Sequence, residues 1–308
     1  MRRRRTMIAF AVLAFSAAAT PASAGSLRLQ QLGLGSRPAV TSAEAGDVAF
    51  ARDGMLHVYS RDNARRVYPI PSRCDATAIH RGAVALGCYF PATGDTPYLL
   101  DRSSGAITPV KLPFENRRAE ISALGAHWAL VDASSNPPDG IHGDDRRILL
   151  NPATGESVDL SFADPFGSRR YLDLDAERPA RALCRPITRS RYSNTSQVVL
   201  KRRPMAHSGR WFLEHDSTGI AELQRCGRST QRQFANEAGA VLGDGVVGYM
   251  TKRSRPRIVL ETLYSSRRWS APRPTGTGFV LTAAGRRLII SAQTPGGPYA
   301  VYSATIRR

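Results

Sequence analysis

Ala49-Phe50-Ala51-Arg52-Asp53-Gly54-Met55-Leu56-His57-Val58-Tyr59 is the stretch on which the reading of this chain turns. Two short apolar runs flank Asp53-Gly54, a pair suited to a tight hairpin. The Asp side chain caps its own turn, and the glycine takes a positive φ where a Cβ would clash. A third run, Val67-Tyr68-Pro69-Ile70, follows at a distance typical of one more turn. The unit is therefore strand, turn, strand, turn, strand, with no helical period in it.

The same unit recurs along the chain. Ala83 to Leu86, Tyr98 to Asp101 and Ile107 to Leu112 form the second, turning at Ser104-Gly105. Trp128 to Val131, Ile148 to Asn151 and Val158 to Leu160 form the third, turning at Thr154-Gly155. Units four to six begin at Trp211, Val246 and Phe279. First strands at 48, 83, 128, 211, 246 and 279 lie 35, 45, 83, 35 and 33 residues apart. That period matches a four-stranded propeller blade, so the expectation is a single all-β propeller of six blades. Seven is the alternative, because the 83-residue interval has room for two blades. A β-sandwich with extra hairpins is the rival architecture, and it predicts no such even spacing.

The 49–59 stretch resembles the strand–Asp-Gly–strand signature of TolB-like propeller repeats. Asp101-Arg102-Ser103-Ser104-Gly105 and Asn151-Pro152-Ala153-Thr154-Gly155 resemble turns common in propeller blades generally. The resemblance implies a binding surface and no particular chemistry, since propellers share a fold across many functions.

Length and composition agree with a folded domain: 308 residues, 42% apolar, 22% charged. The formal charge is +18, and 43 basic residues include only three lysines, Lys111, Lys201 and Lys252. Residues 1–24 read as a secretory signal peptide. Arg2 to Arg5 supply the positive region, Met7 to Ala19 the apolar stretch, and Ala22-Ser23-Ala24 the cleavage pattern. A twin-arginine route and a general secretory route both stay open. Cleavage would remove four arginines and leave 39 basic against 25 acidic residues, a net +14 on residues 25–308. The mature chain is then expected to be exported, extracellular or associated with the cell envelope, with no later transmembrane segment.

Cys74, Cys88, Cys184 and Cys226 form no C-x-x-C pair, so in an exported chain two disulfides are expected. A hairpin turning at Arg81-Gly82 places Cys74 almost opposite Cys88, near bridging distance. Cys184–Cys226 follows by elimination. The interval before Trp211 holds Tyr171-Leu172-Asp173-Leu174-Asp175, read as a strand, then a polar excursion over 181–203.

Residues that could carry chemistry are scattered. The histidines (57, 80, 127, 142, 207 and 215) lack metal-ligand spacing, and no G-x-S-x-G or S-x-x-K motif occurs. Asp173, Asp175 and Glu177 would share one strand face, and Asp139, Asp144 and Asp145 share a loop. Solvated faces or arginine pairs account for both groups better than calcium does. Trp128, Trp211, Phe279 and Tyr299 read as packing between sheets rather than a sugar platform. No catalytic, cofactor or metal residue is therefore assigned.

The remaining signal is arginine. Arg181, Arg185, Arg189, Arg191, Lys201, Arg202 and Arg203 crowd the excursion. They form a candidate site for an anionic ligand, set against an arginine-rich coding bias that raises charge everywhere. The expected role is non-enzymatic recognition or scaffolding at the envelope, with a protein or an anionic envelope polymer as partner. Export argues against nucleic acid. The alternative is a secreted hydrolase or lyase using the central pocket on a polysaccharide or peptide. Oligomeric state is not legible.

Overall fold

The computed structural model describes residues 25–42, 45–90, 94–113, 118–134, 145–160, 174, 177, 206–208, 211–215, 220–225, 232–234, 237–252, 254–265 and 267–306. Every regular element in them is a strand. After β1 (Gly25–Gly35), the chain winds through five antiparallel meanders of four strands and one of three. Blade 1 is β2 (Val40–Thr41), β3 (Val48–Arg52), β4 (Met55–Tyr59) and β5 (Arg65–Pro69). Blade 2 is β6 (Cys74–His80), β7 (Ala83–Phe90), β8 (Gly94–Asp101) and β9 (Ile107–Pro109). Blade 3 is β10 (Arg118–Leu124), β11 (Ala129–Ser134), β12 (Asp145–Leu150) and β13 (Ser157–Asp159). Blade 4 is β14 (Ala206–Ser208), β15 (Trp211–His215), β16 (Ala221–Arg225) and β17 (Arg232–Phe234). Blade 5 is β18 (Glu237–Gly243), β19 (Val246–Thr251), β20 (Arg257–Thr262) and β21 (Arg268–Pro272). Blade 6 begins with β22 (Thr277–Ala284), β23 (Arg287–Gln293) and β24 (Tyr299–Ile306).

Blade 6 takes its fourth strand from the other end of the chain. β1 runs antiparallel to β24 from Leu27 opposite Ile306 to Gly35 opposite Tyr299. Before that, Gly25 and Ser26 pair in parallel with Trp269 and Ser270 of β21, so β1 ties blade 6 to blade 5. Only glycine fits at position 25, where a Cβ would collide with the Trp269 ring.

The frame of the repeat differs from the expected one. The first strands read in units one to five are the second strands of their blades, while Phe279 lies on the first strand of blade 6. Most innermost strands carry no such signal, because their polar and apolar residues do not form a run. β6 and β10 bury every second side chain over much of their length and present the rest to the axis or to solvent. Six four-stranded blades exist among the described residues. The 161–205 interval falls outside them apart from Leu174 and Glu177, and so do Cys184 and Cys226.

Neighbouring blades meet through apolar clusters. Leu56, Val58, Val84 and Leu86 join blades 1 and 2, Ile121 and Val131 pack on Ala78 and Ala85 of blade 2, and Phe234 joins Tyr249 and Val259 between blades 4 and 5. Blades 5 and 6 share Ile258, Leu260, Leu288 and Ile290, and Phe50 with Ile289 and Val301 closes blade 6 onto blade 1. Trp128 and Leu149 of blade 3 pack instead on Leu174, whose carbonyl accepts the backbone N–H groups of His127 and Trp128. The fit is tight. A Cβ on Gly248 would overlap the Leu288 side chain.

The turns behave as their residues require. Asp53 and Gly54 both hold positive φ, 52° and 74°, and the Asp101 carboxylate accepts the N–H groups of Ser103 and Ser104 ahead of Gly105 at φ 75°. Asn151 caps the matching turn ahead of Gly155. Cys74 and Cys88 are bonded, with Cα atoms 4.1 Å apart. Counting back from His80 opposite Ala83 would pair Cys74 with Tyr89. A β-bulge at Thr77 takes up one residue and brings Cys88 into line.

Gly248→Ala should destabilise the protein by about 1–3 kcal/mol in urea unfolding, and the penalty should shrink sharply in a Leu288→Ala background that removes the clash. Replacing Cys74 and Cys88 together by serine opens a loop of 14-residue separation and should cost about 3 kcal/mol in the same assay.

Candidate anion-binding surface

A four-stranded meander sends alternate loops to opposite ends of the ring. Loops joining second to third strands, and each blade to the next, form one rim, here called upper. Loops joining first to second and third to fourth strands form the lower rim.

The lower rim is stitched shut by arginine. Arg287, at the start of β23, is 5% exposed and donates to the carbonyls of Gly46 and Ser60 at 2.8 Å, and to the Asn63 side chain. Burial pulls its pKa below the ordinary arginine value, with Asp47 and Asp62 opposing that shift. Arg102 of blade 2 reaches Asp47 of blade 1 at 2.5 Å and the Arg81 carbonyl. Arg61 of blade 1 lies 3.6 Å from Asp244 of blade 5, whose N–H bonds Gly285 of blade 6. These cations are spent on structure.

Inter-blade arginines act similarly elsewhere. Arg232 on β17 donates through Nη1 to both Glu261 oxygens at 2.8 Å and through Nη2 to the Tyr249 hydroxyl at 3.2 Å. Burial opposes its charge, yet the bonds to Glu261 and Tyr249 hold the guanidinium above its ordinary pKa. Burial in turn raises the Tyr249 phenol. On the upper rim Arg37 pairs with Asp75 at 3.2 Å and Arg52 with Asp53 at 3.0 Å.

The upper rim of blade 5 is different. Lys252 follows β19, Arg255 sits in the same loop, Arg257 opens β20 and Arg273 follows β21; all four are exposed. Two loops bring them together. Arg257 lies opposite Pro272, the Arg273 N–H bonds the Pro256 carbonyl at 3.2 Å, and the Arg257 N–H bonds Thr251 Oγ1 at 3.0 Å. Arg257 Nε reaches Ser270 Oγ, and the Arg273 guanidinium lies over the Phe279 ring at 4.4 Å. None of the four has a carboxylate partner among the described residues. Glu237 holds the register position opposite Thr251. Single unpaired cations occur elsewhere, but here four converge on two hydrogen-bonded loops.

This cluster is not the one the sequence singled out. Arg181, Arg185, Arg189, Arg191, Lys201, Arg202 and Arg203 lie outside the described residues, as do Asp139, Asp144, Asp173 and Asp175. The signal for the new site was present in Lys252-Arg253-Ser254-Arg255-Pro256-Arg257, a basic run denser than the excursion. Trp128 and Trp211 are buried as packing residues. His57 sits on β4, accepting from Arg65 Nη2 at 2.8 Å; burial, then Arg65 and Arg52, lowers its pKa. No group of three metal-binding side chains and no helix long and apolar enough to cross a membrane occurs among the described residues.

No family model matches the chain, and no curated protein matches it in sequence. Solved structures do. The β-propeller domain of the Trilobed protease from Pyrococcus furiosus superposes with a TM-score of 0.52 at 10% identity, over 89% of this chain and 94% of that one. The chain is a β-propeller. The archaeal domain has an open velcro topology, whereas here β1 supplies the closing strand. A putative TolB from Agrobacterium tumefaciens gives 0.42 at 12% identity, over 90% and 91% of the two chains. BamB from Moraxella catarrhalis gives 0.43 at 12%, over 91% and 92%. At these identities the likeness extends to the propeller fold alone.

Because the Arg287 fork serves several carbonyls that a lysine ammonium would reach singly, Arg287→Lys should lower stability by about 1–3 kcal/mol, read from the urea midpoint at unchanged m-value.

Proposed function

We propose that residues 25–308 form an exported, non-enzymatic propeller that recognises an anionic polymer of the cell envelope. The observation carrying this reading is the upper rim of blade 5, where Lys252, Arg255, Arg257 and Arg273 stand exposed and, among the described residues, without a carboxylate. A structural use of arginine is visible at both rims and between blades, and these four have none beyond the Arg257–Ser270 bond and the Arg273–Phe279 contact. The Cys74–Cys88 bond supports an oxidising compartment, which the leader over residues 1–24 would supply. A net +14 favours long-range capture of a polyanion. The arginines of the 181–203 excursion are the second proposed contact region.

Sedimentation of the mature protein with envelope fractions over a salt series tests the reading. Binding should fall steeply as salt rises. Serine at positions 252, 255, 257 and 273 together should flatten the log–log salt slope by about 0.7–0.9 for each phosphate no longer neutralised, if the polymer is a phosphate chain. Serine at the seven excursion cations is the parallel arm. Absence of binding at low salt would overturn the proposal.

A further inference from the structure

Between blades 5 and 6 the chain runs Arg273-Pro274-Thr275-Gly276-Thr277-Gly278, immediately beside the four cations. Both glycines hold positive φ, 136° at Gly276 and 58° at Gly278. Neither tolerates a Cβ: one on Gly276 would meet the Gln293 carbonyl oxygen at 2.9 Å, and one on Gly278 would meet Gln293 Oε1 at 2.8 Å. The loop is thereby pressed against the end of β23, with Thr275 and Thr277 exposed on its outer side.

That geometry leaves donors unused. Gly278 is the bulged residue between the pairs Thr277–Gln293 and Phe279–Ala292, which turns the strand at its outer end. The N–H groups of Thr275 and Gly276 and the hydroxyls of Thr275 and Thr277 have no acceptor among the described residues. Backbone donors, two hydroxyls and the Arg273 guanidinium thus gather in one short glycine-bearing loop, with Arg257 and Lys252 alongside.

We propose that this loop is a phosphoryl-binding subsite and that the polymer bound by the upper rim is a phosphodiester chain; the inference rests on the anionic-polymer reading above. A phosphoryl group offers several acceptor oxygens in a tetrahedral array and is served by donors of mixed type, as in backbone nests. A planar carboxylate is satisfied by one guanidinium and gains little from hydroxyl and amide donors around it. Lys252 and Arg255, lying beyond the loop, meet the neighbouring charges of a chain, which favours a polymer over an isolated headgroup.

The test is fluorescence anisotropy of the mature protein with labelled polyphosphate and with labelled polygalacturonate of matched charge. Wild type should bind polyphosphate more tightly than the polycarboxylate. The Thr275→Val/Thr277→Val double variant, which keeps volume and all four cations, should lose about tenfold for polyphosphate and nothing for polygalacturonate. Equal wild-type affinity for the two polymers, or equal loss in the variant, overturns the phosphoryl subsite while leaving the anionic-polymer reading intact. Binding of neither polymer overturns both. Capture of phosphatidylglycerol vesicles without polyphosphate binding overturns the polymer in favour of a membrane surface. Circular dichroism of the variant confirms that the fold survives.

Discussion

The ladder between β1 and β24 is the constraint on which the rest of this structure depends. Here the two chain ends meet to complete the last sheet, with eight register pairs joining residues 27–35 to residues 299–306. The bulge near Leu32 lets the strand keep pairing while it turns toward blade 1. Gly25 and Ser26 then add a parallel contact to β21, so the closing strand grips two blades at once. The link is local in space and maximal in sequence separation, so the ring closes only after the whole chain is present. Arg287 works at the same seam. Its buried guanidinium binds carbonyls of blade 1 from blade 6, adding directional hydrogen bonds to a junction otherwise packed by Phe50, Ile289 and Val301.

The repeat was legible because its outer three strands obey local rules. Asp101 with Gly105 and Asn151 with Gly155 each satisfy a turn within five residues by the implied cap and positive φ. At Asp53-Gly54 the positive φ appears, but the Asp53 carboxylate accepts from Arg52 Nε in place of a turn N–H. Of the innermost strands, only β22 and the β6 side of the Arg81-Gly82 hairpin could be read. Bulges at Thr77, Ser122 and Gly278 fit a first strand to its neighbour, and nothing in the local sequence marks them. The Cys74–Cys88 pairing shows both sides. The turn at Arg81-Gly82 could be read, and the one-residue correction that makes the cysteines opposite could not.

The site was less legible than the fold, because whether an arginine is free is a tertiary property. Sequence density marks the 181–203 excursion and the 252–257 run alike, and says nothing of which cations find carboxylates. Arg102, Arg232 and Arg287 look no different from Arg255 or Arg273 along the chain. In the folded protein the first three join blades through Asp47, Glu261 and backbone carbonyls. The last two do not.

That division bears on the meaning of the charge. Were the arginine excess only a coding drift, cations without a carboxylate would be expected singly around the ring, as Arg66, Arg73 and Arg118 are among the described residues. Gathering four on two loops held by backbone bonds is unfavourable, since like charges repel and no buried apolar area compensates for their approach. The 273–278 loop is also built with two positive-φ glycines, one of them pressed on the Gln293 backbone, beside donors that the fold itself leaves without acceptors among the described residues. Repulsion, glycine and unsatisfied donors each weaken a free protein slightly, and a bound anion relieves the first and third together. The two rims thus divide one residue type between two roles: arginine closes the ring below, and above blade 5 it is left with charge to share.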